Sequence, residues 1–228
     1  MNWIFLRSAS WLDTRAKFVA SAPEGGTLLD LGSSDGSTLC HFAELRPDLH
    51  LFAADIAGQP QNYPTGCQFQ RANLETEKLP WPDCSMNAIT CMHLVEHLKS
   101  LDLLMEEAAR LLKPGGCIYF ETPHPKSLAL PSLSGSAAGI VTMNFYDDPT
   151  HTQIVSTGAL AQRARKHGLE VVSAGVSRNW LFAAAHLFSV FMPPKQRAVT
   201  HIHWIGWSSY LVARRPLNQK LPNIKLGI

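Results

Sequence analysis

Short apolar runs alternate with stretches of helical periodicity along most of the chain, and that rhythm restricts the fold more than any other feature. "GTLLDLGS" is an apolar run closed by glycine and reads as a buried strand. "STLCHFAEL" then spaces its apolar residues as one face of a helix does. "HLFAADI", "CQFQRAN" and "MNAITCM" give three more strands, followed by a helix through "LDLLMEEAARLL", a turn at "KPGG" and a fifth strand, "CIYFETP". "STGALAQRARKHG" is a helix with a hydroxyl cap and a glycine stop, and "LEVVSAGVS" and "WSSYLVARR" are the last two strands. Strands alternating with helices predict an α/β domain whose mostly parallel sheet is covered on both faces. With 228 residues, 46% of them hydrophobic, residues 1–228 are expected to form a single domain.

Two segments break the rhythm. Residues 123–150 form a long connection after the fifth strand, at the sheet edge where open α/β folds bind ligands, and read as a lid or substrate segment. "WLFAAAHLFSVFM", residues 180–192, is too short to span a bilayer. It reads as a buried helix because it lacks a strongly basic face, with contact to a membrane surface as the alternative.

Composition narrows the function. The net charge of +2 gives no electrostatic case for nucleic acid as a partner. Five scattered cysteines with no C-x-x-C spacing argue against a disulfide framework or a thiolate zinc site and fit a reducing cytoplasm. The apolar run before Arg7 is too short for a signal-peptide core.

The first strand runs into "LLDLGSSDGSTL", where Gly32 and Gly36 flank a tight strand-to-helix turn. The turn is not G-x-G-x-x-G and lacks the Lys-Ser/Thr of a phosphate loop. It carries Asp30 and Asp35, whose charge suits an ammonium or sulfonium group better than a pyrophosphate. Asp55 closes the second strand about 20 residues beyond the turn, the spacing of a ribose-binding acid, and Ile56 is placed to pack on an adenine.

With these motifs the chain resembles the class I S-adenosylmethionine-dependent methyltransferases, of the type 11 and type 23 groups, over roughly residues 27–214. "LLDLGSSDGSTL", "AADIAG", "RANLETEKLPWPDCSMNAITCMHLVEHL" and "EEAARLLKPGGCIYFETP" follow one another in that family's order. The resemblance implies a Rossmann-like seven-stranded sheet of order 3-2-1-4-5-7-6, its last strand antiparallel, with helices on both faces. It implies S-adenosylmethionine as cofactor, held by Asp30, Gly32, Ser34, Gly36, Asp55, Ile56, Asn73, Leu74, Met92 and His93. Asn73 stands where the family often has an Asp that contacts the adenine amino group, and its side-chain oxygen can still accept that bond. Asn87 replaces the usual Asp before the fourth strand and reads as a structural variation.

"HLVEH", residues 93–97, matches the inverted zinc-protease signature H-x-x-E-H, which must lie within a helix. At the end of a methyltransferase's fourth strand the same letters mean something else. Some family members hold a divalent metal at E-x-x-E-H plus a distant His. The equivalent set here is His93, Glu96, His97 and His151, with His93 in place of the first Glu. His93, His124 and His151 each follow a strand's carboxyl end and are candidate catalytic bases for a hydroxyl acceptor. Tyr146, Asp147 and Asp148 are candidate lining for the acceptor pocket. The expected activity is O-methylation of a small or lipid-linked molecule such as a sugar or phenol. The alternatives are a non-catalytic cofactor-binding module and a metal-dependent methyltransferase. Oligomeric state is not legible.

Overall fold

A computed structural model describes residues 3–133 and 141–218. Seven strands form one sheet: β1 (Thr27–Leu31), β2 (His50–Asp55), β3 (Gln68–Arg71), β4 (Met86–Met92), β5 (Leu112–Pro123), β6 (Glu170–Ser177) and β7 (Ser208–Arg214). Their order is β3-β2-β1-β4-β5-β7-β6, as the resemblance implies. All neighbours pair in parallel except β7, which runs antiparallel to both β5 and β6. The helices are α1 (Thr14–Ala20), α2 (Ser37–Leu45), α3 (Asp102–Leu111), α4 (Thr157–Lys166), α5 (Trp180–Ala185) and α6 (Pro194–Ile205).

Alternation along the strands sends successive side chains to opposite faces, and both are buried. Leu29, Leu31, Ile89, Ile118 and Phe120 pack with Leu104 and Met105 of α3 and Leu160 and Ala164 of α4. Leu28, Ala53, Ala88 and Tyr119 pack on the other side with Val19 of α1 and Leu39 and Phe42 of α2. Each fully buried side chain of this size contributes about 1.5–3 kcal/mol. The two layers therefore fix the sheet rigidly and align the carboxyl ends of β1, β2, β4 and β5 along one edge.

Several local expectations change. The Lys113–Gly116 stretch is not a separate turn but lies within β5, where Gly115 takes φ 81° and the register with β4 slips between Met86 and Ala88. The helix after β4, α3, starts at Asp102 as "LDLLMEEAARLL" suggests, and Glu96 and His97 before it sit in a turn. The zinc-protease reading thereby loses the helix it requires. Residues 180–192 are not a buried helix. They divide into α5 and a 3-10 segment, His186–Phe191, and much of their apolar surface faces solvent. Among the described residues no helix is long and apolar enough to cross a membrane.

Residues 134–140 of the long connection lie outside the described part. The rest is not structureless. Short 3-10 turns form at Pro125–Ala129 and Phe145–Asp147. Asn144 caps the second reciprocally with Asp147 and donates from Nδ2 to the Leu130 carbonyl at 2.6 Å. Asn87 acts as a tie: its Oδ1 accepts from the Thr27 amide at 3.0 Å and from Lys113 Nζ at 2.8 Å, joining the starts of β1, β4 and β5.

Candidate active site

The glycine turn and the acid at the end of β2 touch. Asp55 Oδ2 accepts from the Ser34 amide at 2.8 Å, and its Oδ1 accepts from the Ala57 amide at 2.7 Å. Ser34 takes φ 48°, and Gly32 and Gly36 take φ 77° and 78°. A Cβ on Gly32 would meet the Leu94 side chain at 2.9 Å, and one on Gly36 would meet the Asn62 carbonyl at 2.8 Å. The glycines are thus demanded by the protein's own packing as well as by the backbone conformation. Ile56 is 62% exposed beside Asp55.

Asp30 is buried one strand away, its Oδ1 accepting from Thr90 Oγ1 at 2.6 Å. Burial pushes its carboxyl up to about 7, the Thr90 bond opposes that shift and the nearby Asp55 charge adds to it. A cationic ligand group would relieve exactly this kind of desolvated acid, so the pair of carboxylates fits a sulfonium and amino-acid cofactor. Asn73 Oδ1 accepts from the Glu75 amide at 3.0 Å in a local turn, leaving one lone pair. Leu74 lies in the core cluster around β1 and β4, and Met92 is half-buried against the opposite cluster.

His93 follows β4 and is enclosed by charge. Its backbone takes φ 52°, a left-handed conformation that costs a non-glycine residue about 1–3 kcal/mol. The bond from its amide to the Glu121 carbonyl at 2.8 Å holds it there. Its Nδ1 lies 3.0 Å from Glu96 Oε1 and its Nε2 lies 3.2 Å from Glu121 Oε1. Burial lowers the imidazole's basicity, but the bonds to Glu121 and Glu96 outweigh it and hold the pKa up to about 9. His93 is therefore an imidazolium near neutral pH.

Behind it, Glu121 is fully buried and saturated. Arg15 of α1 forms a two-pronged pair with it, one prong being Nε to Oε2 at 2.9 Å. Tyr119 and Ser177 donate to Oε2 at 2.7 and 2.8 Å. Burial opposes ionisation, but the Arg15 guanidinium and then His93 hold the carboxyl well below the usual carboxylate range.

A second cluster lies on the other side of Glu96. His97 and His151 approach it so that one ligand atom from each of the three residues lies within 4.8 Å of the others. His151 Nδ1 donates to the Phe145 carbonyl at 2.6 Å, which in the neutral ring leaves Nε2 with its lone pair. Thr150 Oγ1 gives its proton to Asp148 Oδ1 at 2.6 Å, so it accepts from His97 Nδ1 at 2.9 Å. His97 Nε2 is then also a lone pair. Glu96 Oε2 is buried without a hydrogen-bond partner. Each of these three residues thus keeps one acceptor atom unused, while both nitrogens of His93 are spent on carboxylates. His93 stands outside this cluster.

His124 lies at the start of the long connection, capping the 3-10 turn Pro125–Ala129. Its Nδ1 accepts from the Lys126 amide at 3.1 Å, which puts the ring hydrogen on Nε2, and burial followed by the Lys126 charge lowers its pKa. Trp207 links these parts. Its ring packs 5.5 Å from that of His93, its carbonyl accepts from the His124 amide at 2.7 Å, and its Nε1 donates to the Met143 carbonyl at 2.8 Å. A cavity of about 350 Å³ opens in the 123–150 connection, lined by Leu133, Val141, Thr142, Asp147, Asp148 and Pro149.

The sequence model of a methyltransferase domain matches residues 4–174. The chain belongs to the class I S-adenosylmethionine-dependent methyltransferases. The ubiquinone biosynthesis O-methyltransferase of Azoarcus sp. is 26% identical to this methyltransferase over 51% of each chain. That of Thiobacillus denitrificans is 25% identical over 70% of this chain and 69% of its own. In the first of these alignments the chain spans about half the length of its relative. Among solved structures, an S-adenosylmethionine-dependent methyltransferase from Mesorhizobium loti superposes with a TM-score of 0.62, covering 87% of this chain and 96% of that one at 16% identity.

The sequence reading passed over Arg15, Tyr119, Glu121, Ser177 and Trp207 of this methyltransferase. One signal was available: Glu121 is a carboxylate inside "CIYFETP", a strand expected to be buried on both faces, and a buried acid needs partners. Arg15 lies 106 residues from Glu121, and nothing local connects them.

Proposed function

We propose that this protein is an O-methyltransferase that acts on the hydroxyl of a small or lipid-linked acceptor, a phenol or sugar being the chemical type. The observation that carries the reading is the lone pair of His151 Nε2, held in place by the Nδ1 bond to the Phe145 carbonyl. A hydroxyl must lose its proton as it becomes a nucleophile, and a fixed neutral imidazole nitrogen is a suitable base. Names of the relatives, O-methyltransferases of ubiquinone biosynthesis, point to the same atom type.

Asp55 would hold the ribose hydroxyls, Ile56 and Leu74 the adenine face, and Asn73 the adenine amino group. Asp30, Gly32, Ser34, Gly36, Met92 and His93 would line the methionine end. When bound, S-adenosylmethionine supplies an electrophilic methyl group on a sulfonium, displaced in line by the acceptor. His151 takes the acceptor proton on Nε2, which lies 3.9 Å from Asp148 Oδ2. His124 donates from Nε2 at the lid. His93, already charged, takes no proton and instead fixes Glu96. Calorimetric titration of S-adenosylhomocysteine into wild type and Asp55→Ala, followed by an acceptor screen read by mass, tests this. Binding without transfer to any hydroxyl acceptor would reduce the chain to a cofactor-binding module, and no binding would remove the site assignment.

A second reading rests on the cluster of Glu96, His97 and His151. Two imidazoles and a carboxylate suit a divalent zinc or manganese ion, which would orient and acidify an acceptor hydroxyl. Thermal melting with Mn²⁺ or Zn²⁺ separates the readings. A midpoint raised in wild type and unmoved in Glu96→Gln supports the metal; unmoved midpoints in both leave His151 as the base.

A further inference from the structure

Among the described residues, exposed apolar side chains are densest in the segment inserted between β6 and β7. Leu187, Phe188, Val190 and Phe191 of its 3-10 turn are 68%, 64%, 72% and 85% exposed, with Trp180 and Trp204 more than two-fifths exposed on the flanking helices. Single exposed apolar residues are ordinary, but four within five positions are not. The turn is also braced rather than loose: Arg197 donates to the carbonyls of Ser189 and Met192, at 3.1 and 3.3 Å.

Charge selects the occupant. The chain has seven Lys and Arg and no Asp or Glu after Glu170, so its net +2 divides into +7 beyond that residue and −5 before it. Lys195 and Arg197 are exposed within six residues of Phe191, and neither pairs with a carboxylate among the described residues. We propose that this face docks on an anionic phospholipid bilayer, with Leu187, Phe188, Val190 and Phe191 entering the acyl boundary. Trp180 and Trp204 lie at headgroup depth, and Lys195 and Arg197 meet the phosphates. A second copy of the chain is a poorer occupant, because a two-fold contact would set this cation-only patch against itself. Docking leaves the candidate site near the bilayer: α6 ends at Ile205, two residues before Trp207, whose ring packs against His93.

The test is flotation of the full chain with vesicles of phosphatidylglycerol and phosphatidylcholine, against phosphatidylcholine alone. Wild type is expected to float with the anionic vesicles and to be released by salt. Phe188→Ser/Phe191→Ser should lose about tenfold or more of this partition, and Lys195→Glu roughly fivefold to tenfold. Both variants should keep the wild-type circular dichroism and S-adenosylhomocysteine affinity, so the result does not depend on the methyltransferase assignment. Wild type that stays at the bottom with both vesicles overturns the proposal. So does a wild-type dimer in light scattering that the double substitution dissociates without any vesicle binding, because it gives the face to a second copy.

Discussion

Two histidine stations meet at Glu96, and they are opposite in kind. On one side His93 is closed: both ring nitrogens face carboxylates, and the shared Glu121 is further satisfied by Arg15, Tyr119 and Ser177. On the other side His97 and His151 are open: each spends one nitrogen on a neighbouring oxygen and keeps the other. A saturated buried network specifies structure, because removing any member strands a charge. An unsaturated cluster stores unmet hydrogen-bonding capacity, which is what binding or proton transfer needs. Glu96 serves both, with Oε1 on His93 and Oε2 free.

The sharpest way to break this comparison is His151→Gln, which keeps a polar side chain but removes the base. Methyl transfer should fall about 100- to 10,000-fold, while the melting temperature stays close to wild type. A large loss of stability instead would make His151 structural and the two stations alike. Arg15→Ala attacks the closed side. Leaving Glu121 buried and uncompensated should cost about 3–5 kcal/mol, a fall of roughly 6–20 °C in the melting temperature of a chain this long. An unchanged melting temperature would mean that the network is not saturated as described.

Proton linkage gives a subtler contrast. The His93 pKa is raised from 6.5 to about 9, so its contribution to stability is fully present below 6.5 and is lost as pH climbs through about 9. Melting temperatures between pH 6 and 9.5 should therefore fall on the alkaline side in wild type and be flatter in His93→Gln. Asp30 gives the same sign in a lower pH window, but there burial of the charged form is the cause rather than pairing of it. Its folded pKa of about 7 lies above the ordinary 3.8, so its charge penalises folding increasingly from about pH 4 and fully above 7. Asp30→Asn should melt slightly higher than wild type at pH 8 yet bind S-adenosylhomocysteine more weakly. Weaker binding without any gain in stability would count against a desolvated carboxylate there.

The α/β layout was legible because short apolar runs alternate with helical periodicity, and the strand order came only with the family resemblance. The spacing marked Asp55 as a candidate ribose-binding acid, but its bond to the Ser34 amide was not legible. His151 could be placed beside Glu96 and His97 only through the family resemblance, 54 residues of chain separating it from His97. Arg15–Glu121 and Trp207–His93 were not legible, because they join elements that meet only after the sheet has closed. The segment at 180–192 misled for a different reason. Its apolarity is real, but periodicity cannot tell a face that packs inward from one that faces solvent.

Gly206 closes α6 at φ 65°, and a Cβ there would lie 2.3 Å from Val176 Cγ1 and 2.8 Å from Arg178 Nη2. At the other end Asn179 caps α5 and donates to Asp13 Oδ2 at 2.9 Å. The stretch between these two points is therefore a cassette with welded ends. A methyltransferase of this build can therefore vary the exposed side chains of the stretch, such as Phe188 and Phe191, while the joints and the Trp207 that follows them keep their positions.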